Sequence, residues 1–516
     1  MKAKEFLYLL LLFFVTAAVS LIASRPSFAQ ASFVGTGPGG VGAVDGSGSL
    51  ELWLQADDEA YTDTVCTAGN EAADGNNVGC WEDKSGNGAN VTQATTPQEP
   101  TYLGSPAGFN SMPALNFNDA AIENLAFDTT DTTTDMTIFA VPNTNNPGNE
   151  YEAFFSSDTT WSTGFFMLDN GGPASGCPNE YRFFGWDLDN FPAFEFAVCA
   201  GSNATPAIVE ATSNAGTVTT YQNGTLQDTL TPGLGSYVPF FSIYLLGQGP
   251  FSGYDSWNGN VAELIVYYTQ LSSMERILVE NYLSAKYDIA IADDRYDGDL
   301  NVNGDFDSNV AGIARISGDL NSEAHSAGLL MLDNTFLADD DDSLLFGHNT
   351  ALNGNGNSPS IYPNTGAWTT APDPRYWLRH WHFDRRDAAP TSGGTVDIIF
   401  DYSEGGMNAA NLPAGPTSNY RLLRRANNGT QYTDITAAAV TTVVTSTDQV
   451  QFLGVDVGQL GSEFTLGTLD YGSSPTAVNL SNFQNVKQQL PGIVGIMMLL
   501  LITGSVIIRR RRTALK

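Results

Sequence analysis

The sequence predicts a mainly β protein with two sandwich-like domains. The chain has 516 residues, which is enough for two to four domains at roughly 150 residues each. Its 52 glycines and 11% aromatic residues suit short strands joined by tight turns. The Asn223-Gly224 pair, which is flanked by β-rich segments, is the strongest short-range sign of a β-hairpin.

The first predicted domain covers residues 45–289 and follows a glycine-rich leader at residues 30–44. Alternating apolar residues and turn signals predict a series of short strands in this domain. One helix follows them, because Ser272 and Glu275 have capping-box spacing and apolar residues then share one helical face up to Tyr287. The predicted strands are residues 50–54, 136–141, 181–186, 194–198, 218–221, 240–247 and 259–268.

Four segments of this domain resemble one known family. They are Leu52-Trp53-Leu54-x-Ala56-Asp57, Trp81-x-Asp83-Lys84-Ser85-Gly86-Asn87-Gly88, Pro113-Ala114-Leu115-x-Phe117 and the stretch from residue 259 to residue 287. In this order they resemble bacterial laminin-G-like domains of the concanavalin A-like lectin/glucanase superfamily. The resemblance implies a jelly-roll of two antiparallel sheets. Because this sandwich hosts lectins, glycosidases and adhesion modules, it implies no single function.

A glycosidase of this superfamily is expected to carry paired carboxylates on one strand, as E-x-D-x-x-E or E-x-D-x-E. The sequence has neither motif, and Glu263 is best interpreted as a surface or helix-contacting residue. Trp161, Trp186 and Trp257 are candidate carbohydrate contacts, because aromatic rings stack on sugar rings. Packing in the core or at its rim is the favoured alternative for all three.

The second predicted domain, residues 290–470, begins with an acidic junction. Its pattern D-x-N-x-N-G-D-x-D matches the first nine positions of an EF-type calcium loop. The twelfth position is Val310 instead of glutamate, so a solvated acidic linker is the favoured interpretation and calcium the alternative. No cofactor is assured. The candidate calcium ligands are Asp299, Asn301, Asn303, Asp305 and Asp307.

Further β segments follow, and they resemble an uncharacterised β-domain that often follows laminin-G-like domains in bacterial surface proteins. They include residues 343–348, 376–383, 395–402, 420–424, 450–455 and 464–467. Within His380-Trp381-His382, alternation places both imidazoles on one face of a strand, a spacing that could chelate zinc with Asp384. A structural or exposed histidine pair is the favoured interpretation.

The two ends of the chain predict export and anchoring. Residues 1–29 have the charge and apolar pattern of a signal peptide that is cleaved after Ala29. An uncleaved signal anchor is the alternative, and the small residues Ser27 and Ala29 favour cleavage because they suit a signal peptidase. A polar stalk at residues 471–491 leads to an apolar transmembrane helix at residues 492–508 and a basic tail at residues 509–516, which the positive-inside rule places in the cytoplasm. This end loosely resembles PEP-CTERM-type sorting signals, although the Pro-Glu-Pro triplet is missing.

Charge and cysteine content constrain the exported part. With 22 basic and 56 acidic residues the net charge is −34, which excludes nucleic acid as a partner and favours divalent cations.

The four cysteines favour two disulfides in an oxidising compartment. Of the three possible pairings, the favoured one joins near neighbours, Cys66 with Cys80 and Cys177 with Cys199.

These features together predict a cell-surface protein with a single membrane span and a cytoplasmic C-terminus. The predicted role is a non-catalytic binding or adhesion module whose partner is an extracellular glycan or a surface protein. A structural surface or matrix protein is the alternative, and a secreted glycosidase without a recognisable catalytic motif is the third reading.

Overall fold

The computed structural model describes residues 35–471 with internal gaps. The predicted signal peptide, transmembrane helix and basic tail therefore lie outside the described residues. Within the described ranges, no helix is both long enough and apolar enough to cross a membrane. The gaps are residues 127–134, 148–151, 157–164, 172–175, 188–193, 215, 232–244, 250–255, 350–354, 357–367, 369, 390–392, 402–416 and 445–448.

In the described residues, the first sandwich consists of two antiparallel sheets. One sheet has the order β15-β14-β13-β8-β17-β6-β5 with β1 paired to β17, and the other has the order β12-β11-β10-β9-β16-β7-β4-β3-β2. The strands are β1 Leu50–Gln55, β2 Ala60–Tyr61, β3 Cys80–Trp81, β4 Val91–Thr92, β5 Thr101–Leu103, β6 Ala114–Phe117, β7 Leu125–Ala126, β8 Met136–Thr144, β9 Ala153–Ser156, β10 Phe165–Gly171, β11 Glu180–Asp187, β12 Phe194–Ser202, β13 Val209–Asn214, β14 Thr217–Gln222, β15 Thr225–Leu230, β16 Leu245–Leu246 and β17 Gly259–Tyr267.

One α-helix, α1 (Ser273–Tyr287), follows β17 in the described chain and confirms the predicted helix. Its capping box is complete, because the Glu275 N–H donates to Ser272 Oγ at 3.3 Å and the Ser272 N–H donates to Glu275 Oε2 at 2.8 Å. The helix ends at Asp288, which has a left-handed φ of 52°.

The second sandwich also has two antiparallel sheets in the described residues. One has the order β19-β18-β22-β25-β31-β24-β23, with β27 paired to β31 and β28 to β27, and the other has the order β20-β21-β26-β30-β29. Its strands are β18 Ser308–Ile316, β19 Asp319–Asn321, β20 Glu323–Ser326, β21 Leu329–Asp333, β22 Asp342–His348, β23 Asn355–Gly356, β24 Arg375–Trp377, β25 Trp381–Arg386, β26 Thr395–Asp401, β27 Tyr420–Arg425, β28 Thr433–Asp434, β29 Thr441–Val444, β30 Gln449–Asp456 and β31 Glu463–Thr468. Short 3-10 helices are Thr96–Gln98, Asp119–Ala121, Thr417–Asn419, Thr436–Ala438 and Val457–Gln459.

Successive side chains of β17 point alternately into two apolar clusters. Leu264 and Val266 point between the sheets of the first sandwich, whereas Ile265 and Tyr267 point to the outer face. On that outer face α1 packs through Leu278, and the apolar residues of β18 continue the same cluster. Each sandwich has its own core, and a third apolar cluster around α1 joins the first sandwich to the second.

The glycine-rich leader forms part of this junction, which the sequence did not predict. Residues 37–41 are buried, and Gly39 makes a parallel bridge to Ala311 in which the Gly312 N–H donates to Gly39 O at 3.1 Å. A Cβ atom on Gly39 would lie 2.4 Å from the carbonyl oxygen of Leu278. Only glycine therefore allows the chain to pass between the helix and β18.

Both favoured disulfides are present. Cys66 is bonded to Cys80, and Cys177 is bonded to Cys199. Each closes a short loop of the first sandwich, so each restricts the unfolded chain locally.

Candidate functional site

Of the three candidate tryptophans, only Trp257 has a side chain that the structure describes. Trp257 is fully buried between Phe154 and Tyr181, with ring centroids 5.2 and 6.5 Å away, so the prediction that it contacts a sugar is wrong. The physical reason is that its ring completes the core of the first sandwich and has no face left for a ligand. Trp161 lies outside the described residues. Trp186 lies on β11, but its side chain is not among those that the structure describes.

Glu263 is fully buried and faces the helix. Its carboxylate accepts hydrogen bonds from Trp53 Nε1 at 2.7 Å, Tyr282 Oη at 2.9 Å and Tyr287 Oη at 2.8 Å. Lys286 Nζ lies 2.9 Å from the same carboxylate. The group is therefore the centre of a structural network that joins β17 to α1, as the helix-contacting interpretation of Glu263 predicted.

Lys286 balances the charge of this network. Its Nζ also lies 2.7 Å from Asp57 Oδ1 and donates to Gln55 Oε1 at 2.8 Å. Burial by itself would lower the pKa of Lys286, but the carboxylates of Asp57 and Glu263 outweigh it and hold that pKa well above its usual value. The lysine is therefore a permanent cation whose partners all belong to the fold.

The acidic junction lines a hollow at the end of α1, which we call the junction hollow. It has a volume of about 200 Å³. Asn303 is not part of it, because its Nδ2 donates to Asp297 O at 2.6 Å. The lining residues are Asn110, Ala285, Asp288, Asp299, Leu300, Asn301, Asp305 and Asp307.

Two aspartates that line the junction hollow each have one carboxylate oxygen that accepts no hydrogen bond within the described chain. Asp299 Oδ1 and Asp307 Oδ1 are buried and have no hydrogen-bond partner within the described chain. The other oxygen of Asp307 accepts from Asn110 Nδ2 at 3.2 Å. Burial raises the pKa of Asp299 to about 7 and also raises the pKa of Asp307. Unsatisfied buried acceptors of this kind are costly unless a donor reaches them.

The carboxylates of this loop give the calcium interpretation no support. In the part of the chain that the structure describes, the groups of three His, Cys, Asp or Glu ligand atoms within 4.8 Å of one another lie elsewhere. Val310 is buried in the apolar junction at 2% exposure, so the twelfth position of an EF-type loop supplies no oxygen. The favoured interpretation of a linker without bound calcium stays a prediction.

We therefore expect millimolar calcium to change the melting temperature by about 1 °C or less, because a site that binds weakly contributes little stability at that concentration. Differential scanning calorimetry with calcium and with a chelator measures this. An upward shift of several degrees that disappears on Asp299→Ala would show instead that the loop binds calcium.

The two candidate zinc histidines have separate partners. His380 Nε2 lies 3.4 Å from Glu463 Oε2, and burial, with Arg425 close by, lowers the pKa of His380 to about 4. His382 Nε2 lies 3.0 Å from Asp297 Oδ1. The expected single strand over residues 376–383 is wrong, because the chain leaves the sheet between Trp377 and Trp381 and His380 precedes β25. The two imidazoles therefore do not share a strand face, and they serve different contacts.

Asp297, His382 and Asp384 form an acid–imidazole cluster. Each offers one ligand atom, and these atoms all lie within 4.8 Å of one another. The hydrogen bond with His382 lowers the pKa of Asp297, whereas burial raises the pKa of Asp384 to about 6. Sequence reasoning missed Asp297, because it is 85 positions from His382 and belongs to the interdomain junction.

A second buried acidic group lies on the other side of α1. Arg276 binds Glu210 through its Nε and Glu280 through its Nη2, the latter at 3.1 Å. One guanidinium thus serves two acidic side chains that are each about 2% exposed or less, and one of these can hold a proton. Burial raises the pKa of Glu280 to about 9, and the neighbouring charge of Glu210 adds to the effect.

This arrangement predicts a loss of stability at alkaline pH. Because the pKa of Glu280 is higher in the folded chain than its ordinary 4.5, the folded state binds the extra proton between about pH 4.5 and pH 9. The free energy of unfolding should therefore fall as the pH rises through this window, and Glu280→Gln should flatten the slope. Urea unfolding at pH 5, 7 and 9 measures it. Asp319→Asn, which changes an exposed acid on β19, should keep the wild-type slope.

Comparisons with known proteins find only distant structural similarity. The sequence matches no protein-family model and no curated protein. Domain 4 of AbnA, a GH43 extracellular arabinanase from Geobacillus stearothermophilus solved with arabinotriose, is 12% identical, with 45% of this chain and 97% of that domain covered at a TM-score of 0.30. The CBM40 of Ruminococcus gnavus IT-sialidase, bound to α2,3 sialyllactose, is 14% identical over 31% of this chain and 93% of its own, with a TM-score of 0.24.

A third similar structure is an arabinofuranosidase complexed with arabinofuranosyl-α-1,2-xylobiose. It is 15% identical, with 52% of this chain and 64% of that chain covered and a TM-score of 0.32. The laminin-G-like and PEP-CTERM-type resemblances stay predictions.

Proposed function

We propose that this chain is an exported, membrane-anchored surface protein that binds carbohydrate without catalysis, and that the junction hollow is its binding site. The observation that carries the proposal is the pair of buried, unpartnered acceptors, Asp299 Oδ1 and Asp307 Oδ1, in a polar hollow between two sandwiches. Sugar hydroxyl groups are donors that can satisfy such acceptors.

The charge of the hollow selects among glycans. Four aspartates line it, and the whole chain has a net charge of −34, so carboxylate or sulfate groups on a ligand would be repelled. Neutral sugars and amino sugars bring hydroxyl or ammonium donors instead. The proposed ligand is therefore a neutral or amino-containing glycan.

The junction suits binding because hydrogen bonds tie the walls of the hollow together. Asn110 Nδ2 donates to Lys286 O at 3.2 Å as well as to Asp307, so a loop of the first sandwich, the end of α1 and the start of β18 are tied together. A preformed hollow loses little entropy when it binds a small ligand.

The burial of Glu263 excludes it as the catalytic acid of a glycosidase, and this, together with the missing E-x-D-x-x-E and E-x-D-x-E motifs, supports the non-catalytic role. A glycosidase needs a carboxyl group that can exchange a proton with its substrate. Glu263 is instead enclosed by two tyrosines, a tryptophan and a lysine, and it is fully buried. Surface location is supported by the two disulfides and by the basic residues at both ends of the sequence.

A glycan array probed with the full-length protein tests the proposal. We expect saturable binding to neutral or amino glycans, weak signals for sialylated and uronic acid glycans, and at least tenfold weaker binding for Asp299→Ala and Asp307→Ala. Asp319→Asn is the control, because it removes an exposed acid that does not line the hollow. An array without binding, or binding that both alanine variants retain, would contradict the proposal, and ordered assemblies in light scattering would favour the structural alternative.

A further inference from the structure

The acid–imidazole cluster lies where the junction meets β25 of the second sandwich. Asp297 comes from the junction, and His382 and Asp384 come from alternate positions on one strand. The cluster borders a separate cavity of about 330 Å³, in which Asp297 and Asp384 form part of the wall. The junction hollow is lined by other residues, so the two are distinct features of the surface.

The spacing of the three side chains suits a small divalent cation. His382 Nε2 and Asp297 Oδ1 are 3.0 Å apart, and the Asp297 N–H donates to Asp384 Oδ2 at 2.9 Å, which fixes the two segments in register. Ligands at about 2.0–2.2 Å in a tetrahedral site are themselves separated by about 3.3–3.5 Å. Small rotations of the side chains therefore bring all three onto one ion.

Burial also favours a metal ligand at His382. The imidazole side chain is 4% exposed, while the Asp297 side chain is 57% exposed. One face of the cluster is thus held rigidly by the strand, and the other is open to the solvent. An open position beside rigid protein ligands is typical of sites where zinc keeps a water or an exogenous ligand.

The charge around the cluster leaves a place for a cation. Arg385 donates to Val457 O at 2.6 Å, and Arg386 Nη1 lies 3.4 Å from Asp293 Oδ1. Arg295 pairs with Asp293 and Asp341. Although these guanidinium groups line the cavity, none of them forms an ion pair with Asp297 or Asp384 in the described ranges. The cluster therefore brings two carboxyl groups together with one imidazole, and a bound cation would take the place of the proton that links His382 to Asp297.

We propose that Asp297, His382 and Asp384 bind one divalent transition-metal ion of the zinc class, with a coordination position open to the cavity. Nitrogen and carboxylate oxygen ligands in this ratio suit Zn²⁺ and its substitute Co²⁺. The bound ion joins the junction to the second sandwich and so adds to the stability of the interdomain contact. This site is independent of carbohydrate binding in the junction hollow.

Metal titration of the full-length protein, stripped with a chelator and dialysed, tests the proposal. We expect one equivalent of Zn²⁺ by calorimetry, and we expect Co²⁺ to give visible d–d absorption bands. Asp297→Asn should weaken both signals at least tenfold, and because the side chain is largely exposed, this variant should keep the fold. His382→Gln and Asp384→Asn should also weaken both metal signals at least tenfold.

Two controls separate the cluster from other sites. Asp307→Ala changes the junction hollow and His380→Gln changes the neighbouring imidazole, and both should keep wild-type metal affinity. Absence of saturable Co²⁺ bands in the wild type would overturn the proposal, as would wild-type affinity in Asp297→Asn. Loss of the bands in Asp307→Ala would also overturn it, because the metal would then lie in the junction hollow.

Discussion

Replacing Glu263 with alanine is expected to lower the free energy of unfolding by about 3–5 kcal/mol, because removal of one partner from a buried ion pair leaves the other charge uncompensated. Lys286 would keep Asp57 and Gln55 as partners but lose the carboxylate that lies 2.9 Å away. The hydroxyls of Tyr282 and Tyr287 and the indole N–H of Trp53 would lose their shared acceptor.

Urea unfolding followed by tryptophan fluorescence measures this loss. Lys84→Ala is the matched control, because Lys84 also pairs with two acids, Asp58 and Glu59, but its side chain is 25% exposed. Such a surface pair should contribute about 1 kcal/mol or less. Equal losses in the two variants would show that the Glu263 network does not hold α1 on the sheet.

Gly39→Ala should lower the free energy of unfolding by about 3 kcal/mol through two effects that add. The φ of Gly39 is +69°, a left-handed conformation that costs an alanine about 1–2 kcal/mol. The new Cβ would also lie 2.4 Å from Leu278 O and 2.8 Å from Val279 N, so the backbone of α1 must move, at a further cost of about 1–3 kcal/mol.

Gly75→Ala separates the two effects. Gly75 has a φ of +82°, but nothing lies within 4 Å of a Cβ built on it. We therefore expect this control to lose only the conformational part, about 1–2 kcal/mol. If Gly39→Ala unfolds at the same urea concentration as Gly75→Ala, the leader does not pack between α1 and β18 as described.

Short sequence motifs correctly predicted the start of the helix, one hairpin and the cysteine pairs. The capping box at Ser272 and Glu275 marks the observed start of α1, since both hydrogen bonds form within one turn. Asn223 and Gly224 adopt φ values of 49° and 72°, which is what a two-residue hairpin between β14 and β15 requires. The cysteine pairs were predictable for the same reason, because short loops bring near neighbours together.

The candidate site was predictable only in part. Four of the five candidate calcium ligands do line one hollow, but the fifth, Asn303, is turned towards the backbone of Asp297. Trp257 lies in the core, and its β-rich surroundings in the sequence do not distinguish a core position from a rim position. The partner of His382 could not be predicted from spacing, because Asp297 approaches from the junction.

The amino-acid sequence by itself determined the β class, the helix, the hairpin, the cysteine pairs and the anionic character of this protein. Each depends on contacts between residues that are close in the chain or on composition, which periodicity and turn chemistry express directly. Tertiary structure alone decided that Glu263 is locked under α1, that Gly39 passes between the sandwiches and that Asp297 meets His382. These depend on packing between distant segments, and no local pattern encodes which buried faces will meet.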